Sequence, residues 1–486
     1  MHRYGRERSR RLGEGRRPAA MLLVLGLVAV LVTTACTNDV GADAASVDSG
    51  ARPSSPIGSG APTPRSTTIE QPPLGKWERI TRGKLAPASD RVDLEMPTFS
   101  NPTNVTNPLF PISDLHSVVA LGHVDGERLR VETTLLPETK TIEWNGLQVE
   151  TLQAQFLAYH DGRIDEVAVD WYAQSDDGAV WYFGEDVFIY KDGRVVDTLG
   201  TWRADLDGPA SMIMPADPQV GDAYRTENVP RLEFFEESIV KSIGEIVEGP
   251  TGPVEGAMIG QELHFPGSVE DKTFAPGYGE FFSGHGGNVE AMALAVPTDA
   301  LSGSPPAELE TLSAGALEVF DQVRSKDWKS ASATFDSMKS AWDAFRTSDV
   351  PPLLDAQMRR AIAELARVLG AHNGRAAPQV ALDVANAGLD LQLRYRPPVD
   401  IDMARFDLWA RQLLIDATDK NAAAVLGDVT TLEWIRDRIS LDGADGARID
   451  DELRYIRAAA EGEEFKVVAE DGARLIRSLT AIERTT

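Results

Sequence analysis

Six residues on either side of one turn, two carboxylates and four large aromatics, are of types that could do chemistry. Asp170, Trp171 and Tyr172 precede a Ser175-Asp176-Asp177-Gly178 turn, and Trp181, Tyr182 and Glu185 follow it. Aromatic faces offer stacking surface for a sugar, lipid or peptide, and a flanking carboxylate pair has the groups needed for general acid and base chemistry. These six are the candidate ligand-binding residues. The alternative for the rings is packing within the core, because aromatics are common strand formers. A single cysteine, Cys36, is the other residue with distinctive chemistry.

Other reactive patterns are missing from the sequence. It contains no G-x-x-x-x-G-K-[ST], no G-x-G-x-x-G after a strand and no H-E-x-x-H. The histidines are scattered: His116 and His123 stand seven apart, His160 and His264 stand alone, and none shows a ligand spacing. A calcium loop over Leu441 to Glu452 has leucine and glycine where ligands are needed. The expectation is therefore no catalytic residue, no metal and no cofactor. Ser283-Gly284-His285-Gly286-Gly287-Asn288 is similar to the oxyanion loop of lipases and esterases. No G-x-S-x-G nucleophile accompanies it, and a turn between domains is expected there.

The clearest functional signal is at the N-terminus. Seven arginines against two glutamates precede an apolar run from Met21 to Val32, followed by Thr33-Thr34-Ala35-Cys36. A run of about 12 apolar residues is short of the roughly 20 that span a bilayer and suits an export signal. The last four residues resemble a bacterial lipobox, although Thr33 stands where leucine or valine is commoner. The resemblance implies cleavage before Cys36, diacylglycerol on its thiol and anchorage on the extracytoplasmic face of the cell membrane. Ser9-Arg10-Arg11 is similar to a twin-arginine signal, but Gly13 and Glu14 occupy positions where apolar residues are expected.

Composition agrees with export. With Cys36 committed to lipid, the mature chain has no disulfide or thiolate ligand. The formal net charge is −27, and removing a leader with seven arginines and two glutamates makes it −32. So acidic a body repels phosphate backbones and anionic headgroups, which excludes nucleic acid as a partner and leaves membrane attachment to the acyl chains. Residues 36–76 read as the lipidated cysteine and a Ser/Thr/Pro/Gly tether with an r.m.s. span on the order of 35 Å.

Period-two alternation over Arg128 to Leu135, Leu147 to Phe156, Glu166 to Tyr172 and Val180 to Tyr190, with Asn-Gly and Asp-Gly between runs, predicts antiparallel hairpins over 77–300. A meander of this kind must curl or be covered, so a half-barrel or curved sheet is expected. Residues 306–486 carry eight helical runs between Leu309 and Leu479. Corners at Lys326-Asp327-Trp328, His372-Asn373-Gly374, Asp419-Lys420-Asn421 and Glu461-Gly462-Glu463 recur at intervals of about 40 to 50 residues, as in stacked helical hairpins. Trp328, Trp342, Trp409 and Trp434 lie on or beside the apolar stripes, where core packing is expected. The fold class is α+β and multidomain: signal 1–35, tether 36–76, β domain 77–300, helical-hairpin bundle 306–486.

The stretch DWYAQSDDGAVWYFGE, with MPADPQVGDAYR from Met214 and FAPGYGEF from Phe274, resembles a family of secreted or lipid-anchored bacterial proteins. The family carries a D-W-Y-A-Q-D-x-x-G-N-V-W-Y-x-G-E hairpin, an M-P-A-x-P-x-V-G-D-x-Y segment and a Y-A-P-G-V-G close. The match covers about 105 to 282 and implies a β-rich extracytoplasmic domain, without a reaction or cofactor. Ser175 and Ala179 depart from the motif. The leading expectation is a non-enzymatic envelope lipoprotein that binds an envelope ligand or a protein partner. The alternatives are an envelope hydrolase using Asp170 and Glu185, and a metal-handling accessory protein.

Overall fold

Paired residues with positive φ punctuate the first half of the chain. Asp125-Gly126, Asn145-Gly146, Asp161-Gly162 and Asp192-Gly193 all have both φ values between 45° and 84°, the turn geometry that matches strand twist in two-residue hairpins. In the computed structural model, which describes residues 67–483 apart from Arg82, Ser440 and Asp442, these turns join a continuous meander. Cys36 and the export signal lie outside the described residues.

The meander begins with β1 (Ser117–Val124), β2 (Glu127–Trp144), β3 (Leu147–His160), β4 (Arg163–Gln174), β5 (Val180–Lys191) and β6 (Arg194–Asp197). Two short strands, β7 (Trp202–Arg203) and β8 (Ser211–Met214), return to β5. The chain then crosses to β9 (Ala223–Val229), β10 (Phe234–Gly249), β11 (Gly252–His264), β12 (Val269–Ala275), β13 (Gly279–His285) and β14 (Asn288–Val296). Strand β14 pairs with β1, so one antiparallel sheet of fourteen strands runs from β6 through β1 and β14 to β9 among the described residues. The sheet is open and strongly curved, and β8 packs beside β9, bringing its two ends together.

The Ser283–Asn288 loop differs from expectation. Gly286 and Gly287, with φ of 61° and 98°, form the tight turn between β13 and β14, within the sheet and not between domains. Two glycines at positive φ make a hairpin corner here, and His285 pairs with Asn288 across it.

A strap formed by residues 67–115 crosses the sheet. Val92 N–H donates to Ala223 O of β9 at 2.9 Å, while Thr98 Oγ1 and Ser100 N–H each donate to the Asp176 carboxylate at 2.7 Å in the β4–β5 turn. The strap thereby touches both ends of the curved sheet.

Among the described residues eight helices follow: α2 (Ala307–Arg324), α3 (Trp328–Phe345), α4 (Pro352–Gly370), α5 (Ala377–Gln392), α6 (Pro398–Asp419), α7 (Ala422–Arg438), α8 (Gly443–Glu461) and α9 (Phe465–Glu483). A single turn, α1 (Trp77–Ile80), belongs to the strap. The four repeated corners separate α2 from α3, α4 from α5, α6 from α7 and α8 from α9, so each repeat is one helical hairpin. Lys326, His372, Lys420 and Glu463 adopt positive φ at these corners, and Asp327 and Asn421 cap the helices that follow by accepting from backbone N–H groups.

The bundle packs on the back of the sheet through charge as well as apolar surface. Arg130 donates to both Asp390 oxygens at 2.7 Å, and its Nε donates to Glu132 at 2.9 Å. Arg438 Nη1 donates to the other Glu132 oxygen at 2.7 Å, and Arg405 Nη2 donates to Asp390 at 2.9 Å. Asp402 lies 3.4 Å from Arg405 and 3.5 Å from Arg438, which leaves three guanidiniums against three carboxylates. Around them Trp409 stacks on Tyr159 and Trp434 donates to the Tyr190 hydroxyl at 2.8 Å. Both tryptophans therefore pack against the sheet, and Trp409 packs against the bundle core as well.

Gly193, with φ of 71°, sets the closest approach. A Cβ there would lie 2.2 Å from Gly427 N and 2.6 Å from Leu426 C in α7. Gly193→Ala is expected to force the β5–β6 corner off α7 and lower stability by about 1–3 kcal/mol from overpacking, plus a further penalty for positive φ. Chemical denaturation measures the loss, and faster proteolysis between β14 and α2 than in wild type localises it.

Candidate functional site

Strand alternation sends one set of residues from β4 and β5 to the inner face. Asp170 pairs directly with Glu185, and Tyr172 pairs with Tyr182; a bulge at Phe183 and Gly184 keeps both pairs on that face. Tyr182 Oη donates to Asp170 Oδ1 at 2.7 Å, and the two tyrosine rings stack with centroids 5.0 Å apart. Trp171 and Trp181 take the opposite face. Trp171 lies under the Lys140 ammonium and donates to Gln153, while Trp181 packs against Trp144 and donates to Ser175 Oγ. All six candidate residues are buried, none above 5% exposed, so the hairpin presents no open aromatic platform. Ring packing with Phe110, Trp144 and Trp202 accounts for the aromatics.

The carboxylates belong to a larger assembly. Register places Glu227 of β9 directly opposite Glu236 of β10, Glu236 opposite His264 of β11, and Glu262 of β11 opposite Glu270 of β12. Glu185 of β5 interacts electrostatically with Glu227 of β9, and Glu166 of β4 with Glu290 of β14, although neither pair of strands adjoins in the sheet. These side chains face one another across the interior of the curve.

Three directly opposed acid pairs thus line one face: Asp170 with Glu185, Glu227 with Glu236, and Glu262 with Glu270. Like charges in that position are destabilising unless something neutralises them. Lys272 Nζ sits 2.8 Å from Glu262 and 3.8 Å from Glu280, and Thr226 Oγ1 donates to Glu262 at 2.6 Å and lies 3.2 Å from Glu236. His264 Nδ1 lies 2.6 Å from Glu236 Oε1. Neither oxygen of Glu185 or of Glu227 has a hydrogen bond of ordinary geometry, and one oxygen each of Glu166, Glu280 and Glu290 is also without one.

Burial is the main cause of the electrostatic shifts. It pushes Asp170 up to about 7 against the opposing pull of the Tyr182 hydrogen bond, and Glu280 up to about 7 against Lys272. Glu166, Glu185, Glu227 and Glu290 rise well above the carboxylate range through burial and mutual repulsion. Burial would also raise Glu262 and Glu270, but Lys272 and His264 hold Glu262 down, and the His264 hydrogen bond and Lys272 hold Glu270 down. Burial would lower His264, yet Glu236 and its neighbours raise it to about 10. The interior therefore has acid groups holding protons on one side and a small ionised cluster on the other.

The sequence reading singled out Asp170 and Glu185 but passed over Glu236, Glu262, His264 and Glu270. A signal was present: Glu262-Leu263-His264 within a strand puts a carboxylate and an imidazole on one face. None of the four main clefts among the described residues is lined by Asp170 or Glu185. The largest, about 700 Å³, lies between the strap and the start of β3, beside Thr67, Met96, Phe99 and Leu147. No helix among the described residues is long and apolar enough to cross a membrane. No protein-family profile matches this chain, and no curated protein matches it significantly.

Proposed function

We propose that this chain is a lipid-anchored extracytoplasmic binding protein whose sheet interior takes up a small cation. The observation that supports this reading is the set of three directly opposed, buried acid pairs, in which several carboxylate oxygens lack a hydrogen bond of ordinary geometry. Such oxygens are costly in a purely structural interior, and a proton or a cation satisfies them. Burial restricts the occupant to something small. The anchor rests on the Cys36 signal and on the resemblance of the hairpin motifs to secreted and lipid-anchored proteins.

A hydrolase using Asp170 and Glu185 is the second reading. Their direct opposition and the raised Asp170 favour it, but a substrate would need a cleft reaching them, and the main clefts lie elsewhere.

Equilibrium dialysis of the detergent-solubilised full chain against Mg2+, Ca2+, Mn2+ and Zn2+ tests the binding function. Stoichiometric uptake of at least one ion at pH 7 is expected; no uptake of any of the four would end it. Acyl labelling of the same chain, lost in Cys36→Ala, checks the anchor.

A further inference from the structure

The two ring nitrogens of His264 are engaged unequally. Nδ1 lies 2.6 Å from Glu236, whereas Nε2 makes only longer contacts, without a hydrogen bond of ordinary geometry, in a side chain only 5% exposed. Nε2 faces Glu270 Oε2 at 3.5 Å and Glu262 Oε2 at 3.8 Å. The Glu270 separation matches the roughly 3.3–3.5 Å edge of a tetrahedron with bonds of about 2.0–2.1 Å around zinc, and the Glu262 separation exceeds it by about 0.3 Å. Donor atoms of Glu236, Glu262 and His264 all lie within 4.8 Å of one another.

We propose that the β10–β12 face holds a divalent first-row transition metal ion, zinc by preference, ligated by His264 Nε2 with Glu262 and Glu270. This deepens the cation-binding reading and rests on it. One imidazole with carboxylates suits zinc and manganese and gives calcium too few oxygens. Glu236, on the far side of the ring, takes the place of the carboxylate that orients a metal-bound histidine and fixes its tautomer. Thr226 orients Glu262 in the same way, by donating to its other oxygen at 2.6 Å.

Lys272 gives the site a built-in competitor. Its ammonium lies 2.8 Å from Glu262 Oε2, where it neutralises the carboxylate that the ion would use. Metal entry releases the Nε2 proton to solvent and moves this ammonium towards Glu280, already 3.8 Å away. The same residue that stabilises the metal-free cluster thus weakens metal binding.

Co2+ and Zn2+ titrations of the full chain, stripped with chelator and monitored by visible absorption and by dialysis, test the proposal. One equivalent of Co2+ with intense d–d bands of low-symmetry four-coordination is expected, displaced by Zn2+. His264→Gln and Glu262→Gln should each weaken Zn2+ binding at least 100-fold, and Glu236→Gln about 10- to 100-fold. Lys272→Met should tighten it at least 10-fold, a gain that a merely destabilised fold would not give. Uptake unchanged in His264→Gln would overturn the site while leaving the general cation-binding reading intact. No uptake of any ion by wild type would overturn both.

Discussion

Glu132→Gln is expected to destabilise the protein by about 3–5 kcal/mol, the range for breaking one partner out of a buried ion network. Glu132 is 3% exposed and accepts from Arg130 and Arg438, with Arg405 3.6 Å away. Glutamine preserves the shape and removes the charge, leaving three guanidiniums to share Asp390 and Asp402. Denaturant midpoints followed by circular dichroism measure the loss. Arg438→Met combined with Glu132→Gln should cost less than the sum of the single changes, since the second substitution removes a cation that the first has stranded. Additive losses would mean that the two charges do not depend on each other. The sign of the pH dependence follows from the same group. Burial on its own would raise the Glu132 carboxyl, but Arg405, Arg130 and Arg438 hold it well below the usual range. Its contribution is therefore complete above the unfolded value near 4.5 and is lost as pH falls below that.

Asp170→Asn should weaken the opposite slope. Asp170 is raised from 3.8 to about 7, so the folded state holds a proton that the unfolded chain has released. The stability linked to that proton is complete below pH 3.8 and drains away as pH rises to about 7. Shifts of this kind are worth about 1.4 kcal/mol per unit, so removing the group relieves up to about 4 kcal/mol at pH 8. Asparagine retains the Oδ1 that accepts from Tyr182. The variant should therefore match wild type at pH 4 and melt higher at pH 8. Equal melting temperatures at both pH values would show that Asp170 is ionised in the folded protein throughout. Glu185 and Glu166 are raised for the same reasons and add to the slope. With Glu132 failing at low pH and the interior acids at higher pH, the wild-type stability maximum is expected in mild acid, near pH 4.5.

Local chemistry made much of the architecture legible. Asp-Gly and Asn-Gly located the corners of β1 to β6, and the apolar period located all eight long helices together with the corners between hairpins. What escaped depends on residues far apart in sequence. The Gly-Gly turn at 286–287 looks like a domain boundary until β14 is seen to pair with β1. Asp170 and Glu185 were recognisable as a pair across one hairpin, but their neighbour Glu227 arrives only through curvature. Arg405 and Arg438, each at most 5% exposed, look like solvated helix residues until the sheet supplies Glu132. The aromatic hairpin read as core more readily than as platform, yet both stayed open, because alternation alone does not say whether something covers the second face. Here Lys140, Gln153 and Trp144 cover it.

The position of β1 sets an order of events during synthesis. Its hairpin partner β2 follows within a few residues, but its other edge waits for β14: Leu294, the partner of Val119, is made about 175 residues later, on the order of ten to thirty seconds at ribosomal speed. Through that interval one edge of the central strand has no native mate. The guanidiniums that neutralise Glu132 come later still, from α6 and α7. A nascent chain of this protein is therefore exposed to misannealing at β1 for about a third of its production, and a holding factor that covers this edge is expected to raise the folding yield.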